Sequence, residues 1–397
     1  MKTGFAVVGA GLRGRRLAEE MVTQGEGVAE IRAWSDPNPA NLESARERFP
    51  DAATAGDYQA VVERDDISGV IVASPNAFHA DAAVLALEHG KHVFCEKPMA
   101  TTVEDCQRIL EAAERAGNIL HVGFVLRYAP VFVKLKELIE SGEIGDPLLF
   151  NWLINYPGGI HYYRTWHRLK AWSGGLNVEK ACHDYDLLNW YFDDLPERVV
   201  MWSGLNKFVP GSKKADRCDE CDDRCEDYAD ELREGKTTST PDGQLQDGSS
   251  NLGCFYNTPK DIGDHYVGLL EYAGGLRGTV QMCFYTSSPY GREFIIVGSM
   301  GEIRGNLHDA VLEVHYRDRK NDSRRIDLRR ASRGGHSGGD WRQMRAFLDA
   351  VRTGEPSLNR GVNGVKAVLV GCAMERSIQE DRPIRPRELV DERWLTV

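Results

Sequence analysis

No apolar run in this 397-residue chain approaches the roughly twenty residues that a membrane-spanning helix needs. A basic excess is missing too: 49 Lys and Arg stand against 60 Asp and Glu, a formal net charge of −11. That balance offers no electropositive surface to nucleic acid or to an anionic membrane. Nor is there a charged-then-apolar leader, since Met1-Lys2 runs straight into strand-like sequence, and a cytoplasmic protein is expected. The nine cysteines are an odd number, mostly scattered singly, which fits reduced thiols rather than a disulfide framework. Repeats are absent, as is low-complexity sequence outside one acidic stretch. What remains is an ordinary globular composition, 42% hydrophobic and 27% charged, long enough for two domains.

Gly4-Phe5-Ala6-Val7-Val8 reads as a buried strand, followed at once by Gly9-Ala10-Gly11-Leu12-Arg13-Gly14 and a helical run to about Gln24. In that setting a G-x-G-x-x-G loop has a mechanism. Gly9 permits the tight turn, Gly11 lets the backbone approach a pyrophosphate, and Gly14 lets helix and strand pack closely. The helix N-terminus adds free N–H groups and the positive end of its dipole. The next strand ends at Asp36, where an acid binds a ribose 2′-OH and repels a 2′-phosphate. NAD is therefore expected over NADP, although Arg13 and Arg32 leave NADP open.

Gly69–Ala73 forms a third apolar run and opens into Ser74-Pro75-Asn76-Ala77-Phe78-His79. Val93-Phe94-Cys95 forms a fourth, followed by Glu96-Lys97-Pro98. Strands alternating with helices through Val122 predict a doubly wound parallel sheet. Its carboxyl edge gathers the ends after Gly9, Asp36, Ala73, Cys95 and Val122. Ser74, Pro75, Asn76, His79, Glu96 and Lys97 then belong to the cofactor crevice, with Lys97 between nucleotide and substrate.

Three blocks together, Gly9–Gly14, Ser74-Pro75-Asn76 and Gly90–Pro98, resemble the glucose-fructose oxidoreductase/inositol dehydrogenase/rhizopine-catabolism (Gfo/Idh/MocA) family over nearly the whole chain. The Glu-Lys-Pro block is the most specific of them. The resemblance implies an NAD-binding Rossmann domain over 1–123. It also implies an α/β domain over 124–397 with a large, open, mostly antiparallel sheet. Sugar, polyol or glycoside substrates and a homodimer or homotetramer formed through that sheet are implied as well. Gly123–Tyr128 resembles the crossover that touches nicotinamide and substrate, which points to Arg127 and Tyr128.

A second block, Gly174–Asp186, matches the family pattern of an acid, three residues, a histidine, two residues and an aspartate. His183 and Asp186 fit it; Glu179 stands where the family has aspartate, and Lys180 is a further departure. On a helix His183 and Asp186 share a face. Oxidising a secondary alcohol requires a base with a pKa near working pH. A lysine qualifies only if burial and nearby cations depress it, whereas histidine already titrates in range. Lys97 and His183 are expected to share the proton transfer, with Glu179 orienting one of them and Asp186 and Lys180 facing substrate. The aromatic run His161–Arg168 suits a sugar site, and Trp166 is its leading member.

Residues 207–258 form an insertion with little apolar periodicity. Asp216–Glu234 holds ten acids and three arginines, so the acidity is largely local. Cys218, Cys221 and Cys225 lie within it, with Cys254 farther on, and a structural zinc is one reading of these thiols. Free thiols on a solvated loop, or disulfides, are the others.

Beyond it, Asp264–Tyr272 and Leu276–Tyr285 predict a hairpin, and Phe294–Gly298, Gly301–Gly305, Val311–Tyr316 and Arg324–Leu328 further strands. Gly334–Asp340 reads as a flexible loop ahead of a helix; the resemblance implies that this loop lies near substrate, which points to His336, a polar turn being the other reading. Residues 362–377 form a terminal helix that packs back. The functional expectation is an NAD-dependent oxidoreductase on a secondary alcohol. A redox-neutral, NAD-retaining glycosidase or lyase and a non-catalytic sugar or NAD sensor are its competitors.

Overall fold

The structure is a computed structural model that describes residues 2–157, 160–222, 225, 253–287, 291–318 and 322–395. Six strands build the first sheet: β1 (Thr3–Val8), β2 (Ala29–Ser35), β3 (Ala53–Ala55), β4 (Gly69–Val72), β5 (His92–Cys95) and β6 (Leu120–Val122). They lie in the order β3-β2-β1-β4-β5-β6, every pair parallel. The continuous apolar runs have their reason here, because Val70, Ile71, Val72, Val93, Phe94 and Cys95 are fully buried between helix layers. The winding reverses between β1 and β4. At such a switch point the strand ends leave a crevice for ligand.

Eight strands build the second sheet: β7 (Pro147–Asn155), β8 (Arg198–Gly204), β9 (His265–Glu271), β10 (Arg277–Cys283), β11 (Gly291–Gly298), β12 (Gly301–Asn306), β13 (Val311–Tyr316) and β14 (Ser323–Asp327). Their order is β14-β13-β12-β11-β7-β10-β9-β8. Only the β7–β10 pairing is parallel. One face is buried through Phe150, Trp152, Ile154, Val280 and Phe294. Trp152 stacks on Phe294 at 4.9 Å between ring centres, and its indole N–H donates to Asp184 on helix Cys182–Phe192. The opposite face leaves Leu149, Trp202, Val267 and Leu269 exposed.

The chain then returns to the first sheet. Helix Gly335–Thr353 packs Met344, Phe347, Leu348 and Ala350 into the cluster that holds Phe5, Val7, Leu17, Trp34 and Phe94. Phe347 meets Phe5 and Phe94 edge-on at 6.1 and 5.6 Å. Helix Gly361–Glu380 follows and packs against helix Val103–Ala116 and against β8. The Val122 N–H donates to the Asn359 carbonyl, just beyond the edge strand. One core of the nucleotide half is thus completed by residues near the end of the sequence.

Among the described residues, no helix is long and apolar enough to cross a membrane.

Candidate active site

Gly9 adopts φ +97°, and a Cβ on it would strike the backbone of Ala73 and Ser74. A Cβ on Gly14 would collide with the Gly9 carbonyl. Gly11 faces open space, and no side chain caps the helix Leu12–Gln24 that follows. An open approach to uncapped N–H groups is what a pyrophosphate needs. Asp36 closes β2, where its carboxylate accepts the Ala10 N–H (2.9 Å), the Asn38 N–H (2.9 Å) and the Asn41 amide. Ser74 Oγ is buried with no partner, leaving a polar atom for a ligand. These features fit a dinucleotide.

Next to this cradle lies the centre of the site. Lys97 Nζ donates to Glu179 Oε1 and to the Glu179 carbonyl, both at 2.9 Å. Asn76 Nδ2 holds the other oxygen of Glu179 and also reaches the Ser173 carbonyl. The loops after β4 and β5 and the helix Leu176–Glu179 therefore meet on one buried carboxylate. Burial favours the neutral amine of Lys97, but the Glu179 charge outweighs it and raises the pKa above the ordinary lysine value. The depressed lysine that a base would require is not what this geometry produces. The Lys97 ammonium is held charged.

His183 is buried beneath Phe124, with Nδ1 unpartnered. Burial first, then the nearby Lys97 and Arg292 charges, keep its pKa well below the ordinary histidine range. His167 was not singled out by the sequence, yet its Nε2 lies 3.7 Å from Glu179 Oε1. Its ring stacks on Trp166 at 3.7 Å. Only the dense aromatic run hinted at it, because neither its spacing nor a motif ties it to Glu179. Lys180 sets its ammonium over Tyr156 at 4.1 Å and over Tyr162 at 5.6 Å.

Other expected site residues turn out to hold the framework together. His79 bridges the Ser74 and Pro98 carbonyls at 2.8 Å each, joining the two cofactor loops from behind. Arg127 and Asp186 form a buried two-pronged ion pair at 2.7 and 2.8 Å. Both groups are engaged with each other. Burial pushes the Asp186 carboxyl up to about 6 against the pull of Arg127. Tyr128 stacks beside His121 at 6.2 Å, its phenol pushed up to about 12 by burial. His336 lies on Asp340 at 3.0 Å, and Arg13 joins Glu96 at 2.6 Å. Arg32 is occupied by Glu30 and the Asp66 carbonyl.

The zinc reading of Cys218, Cys221, Cys225 and Cys254 finds no support in the geometry. Among the described residues, which include all four, no three His, Cys, Asp or Glu side chains are grouped to hold a metal ion. Arg164 accounts for part of the difference. Its guanidinium lies among these thiols, 3.5 Å from Cys218 Sγ, and Nε donates to the Gly253 carbonyl. Much of the insertion lies outside the described residues.

Residues 3–124 match the oxidoreductase family with an NAD-binding Rossmann fold, and residues 136–385 match its C-terminal α/β domain. The chain belongs to the Gfo/Idh/MocA oxidoreductase family. A family relative from Bacillus subtilis (strain 168), YteT, named as an oxidoreductase, is 30% identical over 91% of this chain and 92% of its own. The myo-inositol 2-dehydrogenase of Thermotoga maritima is 24% identical over 97% and 99% of the two chains. Among solved structures of the same fold is a levoglucosan dehydrogenase in complex with NADH and levoglucosan. It superposes with a TM-score of 0.76 at 20% identity, covering 97% of this chain and 99% of that one.

Proposed function

We propose that this Gfo/Idh/MocA protein is an NAD-dependent oxidoreductase acting on a secondary alcohol of a sugar, polyol or glycoside. The observation that carries the reading is the Lys97–Glu179 pair, which joins the loop after β5 to the helix Leu176–Glu179, beside two buried histidines. Relatives named for inositol and levoglucosan support the substrate class. The position of Asp36 supports NAD over NADP.

Bound NAD supplies a hydride acceptor at its nicotinamide ring. The remaining work falls to the side chains. Lys97, fixed as an ammonium by Glu179, donates a hydrogen bond to the alcohol oxygen and stabilises negative charge as it grows there. His183, neutral and with Nδ1 unpartnered, accepts the hydroxyl proton as a weak base, because burial and nearby cations hold its pKa down, and the Lys97 charge supplies most of the stabilisation. Trp166 offers its ring to the C–H side of a sugar, and Lys180, held over Tyr156 and Tyr162, sets a cation beside it. Glu179 and Asn76 position Lys97. The Arg127–Asp186 pair holds helix Cys182–Phe192, and so His183, in register.

The test mixes the purified protein and NAD⁺ with a panel of sugars, polyols and glycosides while reduced nicotinamide is followed by absorbance. A sustained rise is expected with at least one compound. Lys97→Ala should lower that rate by about 10²–10³-fold while NADH binding is retained. Unchanged turnover in Lys97→Ala would refute the assignment. A flat trace with a glycoside consumed would replace it with a redox-neutral reaction.

A further inference from the structure

Asp340 is almost fully buried, at 1% side-chain exposure, and it receives donors from opposite ends of the chain. Arg13 Nη1 lies 2.9 Å from Oδ1 and Arg16 Nη2 3.3 Å from Oδ2, both on the helix Leu12–Gln24 that follows the turn at Gly9–Gly11. His336 Nδ1 lies 3.0 Å from both oxygens. Arg13 also reaches Glu96 Oε1 at 2.6 Å, and the second oxygen of Glu96 accepts the backbone N–H of Lys97. A continuous set of charge-assisted contacts thus runs from the segment 334–340, through the glycine loop, to the residue before the catalytic lysine. At its other end the segment packs closely on the Val125 carbonyl, next to Phe124, whose ring lies edge-on to His183 at 6.2 Å.

The backbone that delivers Asp340 is unusual. His336 and Ser337 have φ of +46° and +56°, and Gly334 and Gly338 have +102° and +84°. Left-handed conformations at non-glycine residues cost free energy, and they persist where their surroundings over-determine them. Here the surroundings are tight. A Cβ on Gly335 would run into Arg16 and Asp340, and one on Gly339 would meet the Val125 carbonyl at 2.5 Å. A buried ion cluster is weak evidence for stability by itself, because desolvation offsets the attraction. Its place beside an open phosphate cradle gives it a more specific use.

We propose that Asp340 is a positioning residue for the cofactor. It fixes Arg13 and straps segment 334–340 across the nicotinamide half of the crevice, so that the dinucleotide is held tightly and leaves slowly. The inference rests on the NAD-binding reading above. It predicts that Asp340 acts through Arg13 and leaves the adenosine half, beside Asp36, untouched.

The test measures NADH affinity by fluorescence titration and NADH release by stopped-flow chase, with AMP affinity as the control. Asp340→Asn should weaken NADH binding about tenfold, chiefly through faster release, with AMP affinity unchanged. Combined with Arg13→Gln it should weaken NADH no further than Arg13→Gln alone. Additive losses, an unchanged release rate, or an equal loss for AMP would overturn the proposal. Should Asp340→Asn fail to fold, Gly335→Ala displaces the same carboxylate and must give the same selective loss. If the parent protein binds no NADH, the functional reading itself fails. If parent and variants bind NADH equally, only the role of Asp340 does.

Discussion

The charge state of a single side chain is decided by what lies within a few ångströms of it, and this protein contains opposite outcomes of the same rule. Lys97 is buried and yet held charged, because a carboxylate accompanies it. His121 is buried and held neutral, because nothing does. It is sandwiched between Phe94 and Tyr128, Nδ1 is bonded to Ser357, Nε2 has no partner, and burial drives its pKa down to about 3. A folded-state pKa below the unfolded value of about 6.5 contributes stability that is fully present above that value. The contribution is lost as pH falls toward the folded pKa, at up to about 1.4 kcal/mol per pH unit. His121→Phe should therefore flatten the slope of denaturant-measured stability between pH 6.5 and 4.5 by about that amount. An unaltered slope would refute the assignment. His161, His167 and His183 titrate in the same direction, so the change in slope, not its existence, is diagnostic. At this scale the sequence was only partly legible. Lys97, Glu179 and His183 stood out through their motif blocks. The engagement of Arg127 with Asp186 and the approach of His167 to Glu179 depend on packing between segments that no local pattern connects.

Secondary structure read well wherever pattern and burial agree. Val311–Tyr316 appears as read, and the hairpin expected around Ala273-Gly274-Gly275 is the antiparallel pair β9–β10. Two strands are missing from that reading. Ala53–Ala55 is a three-residue edge strand without large apolar side chains, whereas Arg198–Gly204 carries the apolar run Val199–Trp202 and was legible. The docking of helix Gly335–Thr353 was also invisible, since periodicity shows that a helix has an apolar face but not which sheet receives it. Phe347 sits at the centre of that contact with no exposed surface. Phe347→Ala should lower the equilibrium unfolding free energy by about 3–5 kcal/mol, the range for deleting a buried aromatic ring. A loss below about 1 kcal/mol would mean that the helix does not complete the first core.

For the molecule as a whole, the second sheet has covered one face with helices and left the other open. Trp202, Val267 and Leu269 sit on neighbouring strands, with Val267 directly opposite Trp202 in the β8–β9 register. An apolar surface of this kind on an open sheet suits a two-fold contact with a second copy. Light scattering after size exclusion should give a dimer or tetramer mass for the parent protein and a smaller mass for Leu269→Lys. A monomeric parent, or a variant of unchanged mass, would place the contact elsewhere.

The return of helix Gly335–Thr353 also has a consequence for synthesis. Domains generally fold as units, the N-terminal one first, while the chain is still being made. Here the first sheet, though encoded at the start, lacks Met344, Phe347 and Leu348 until most of the 397 residues have been translated. Phe5, Trp34 and Phe94 must wait, incompletely covered, through the translation of the whole second sheet. For the same reason a chimera that exchanges the substrate half at residue 124 inherits a nucleotide half with one side of its core missing, unless residues 335–353 travel with it.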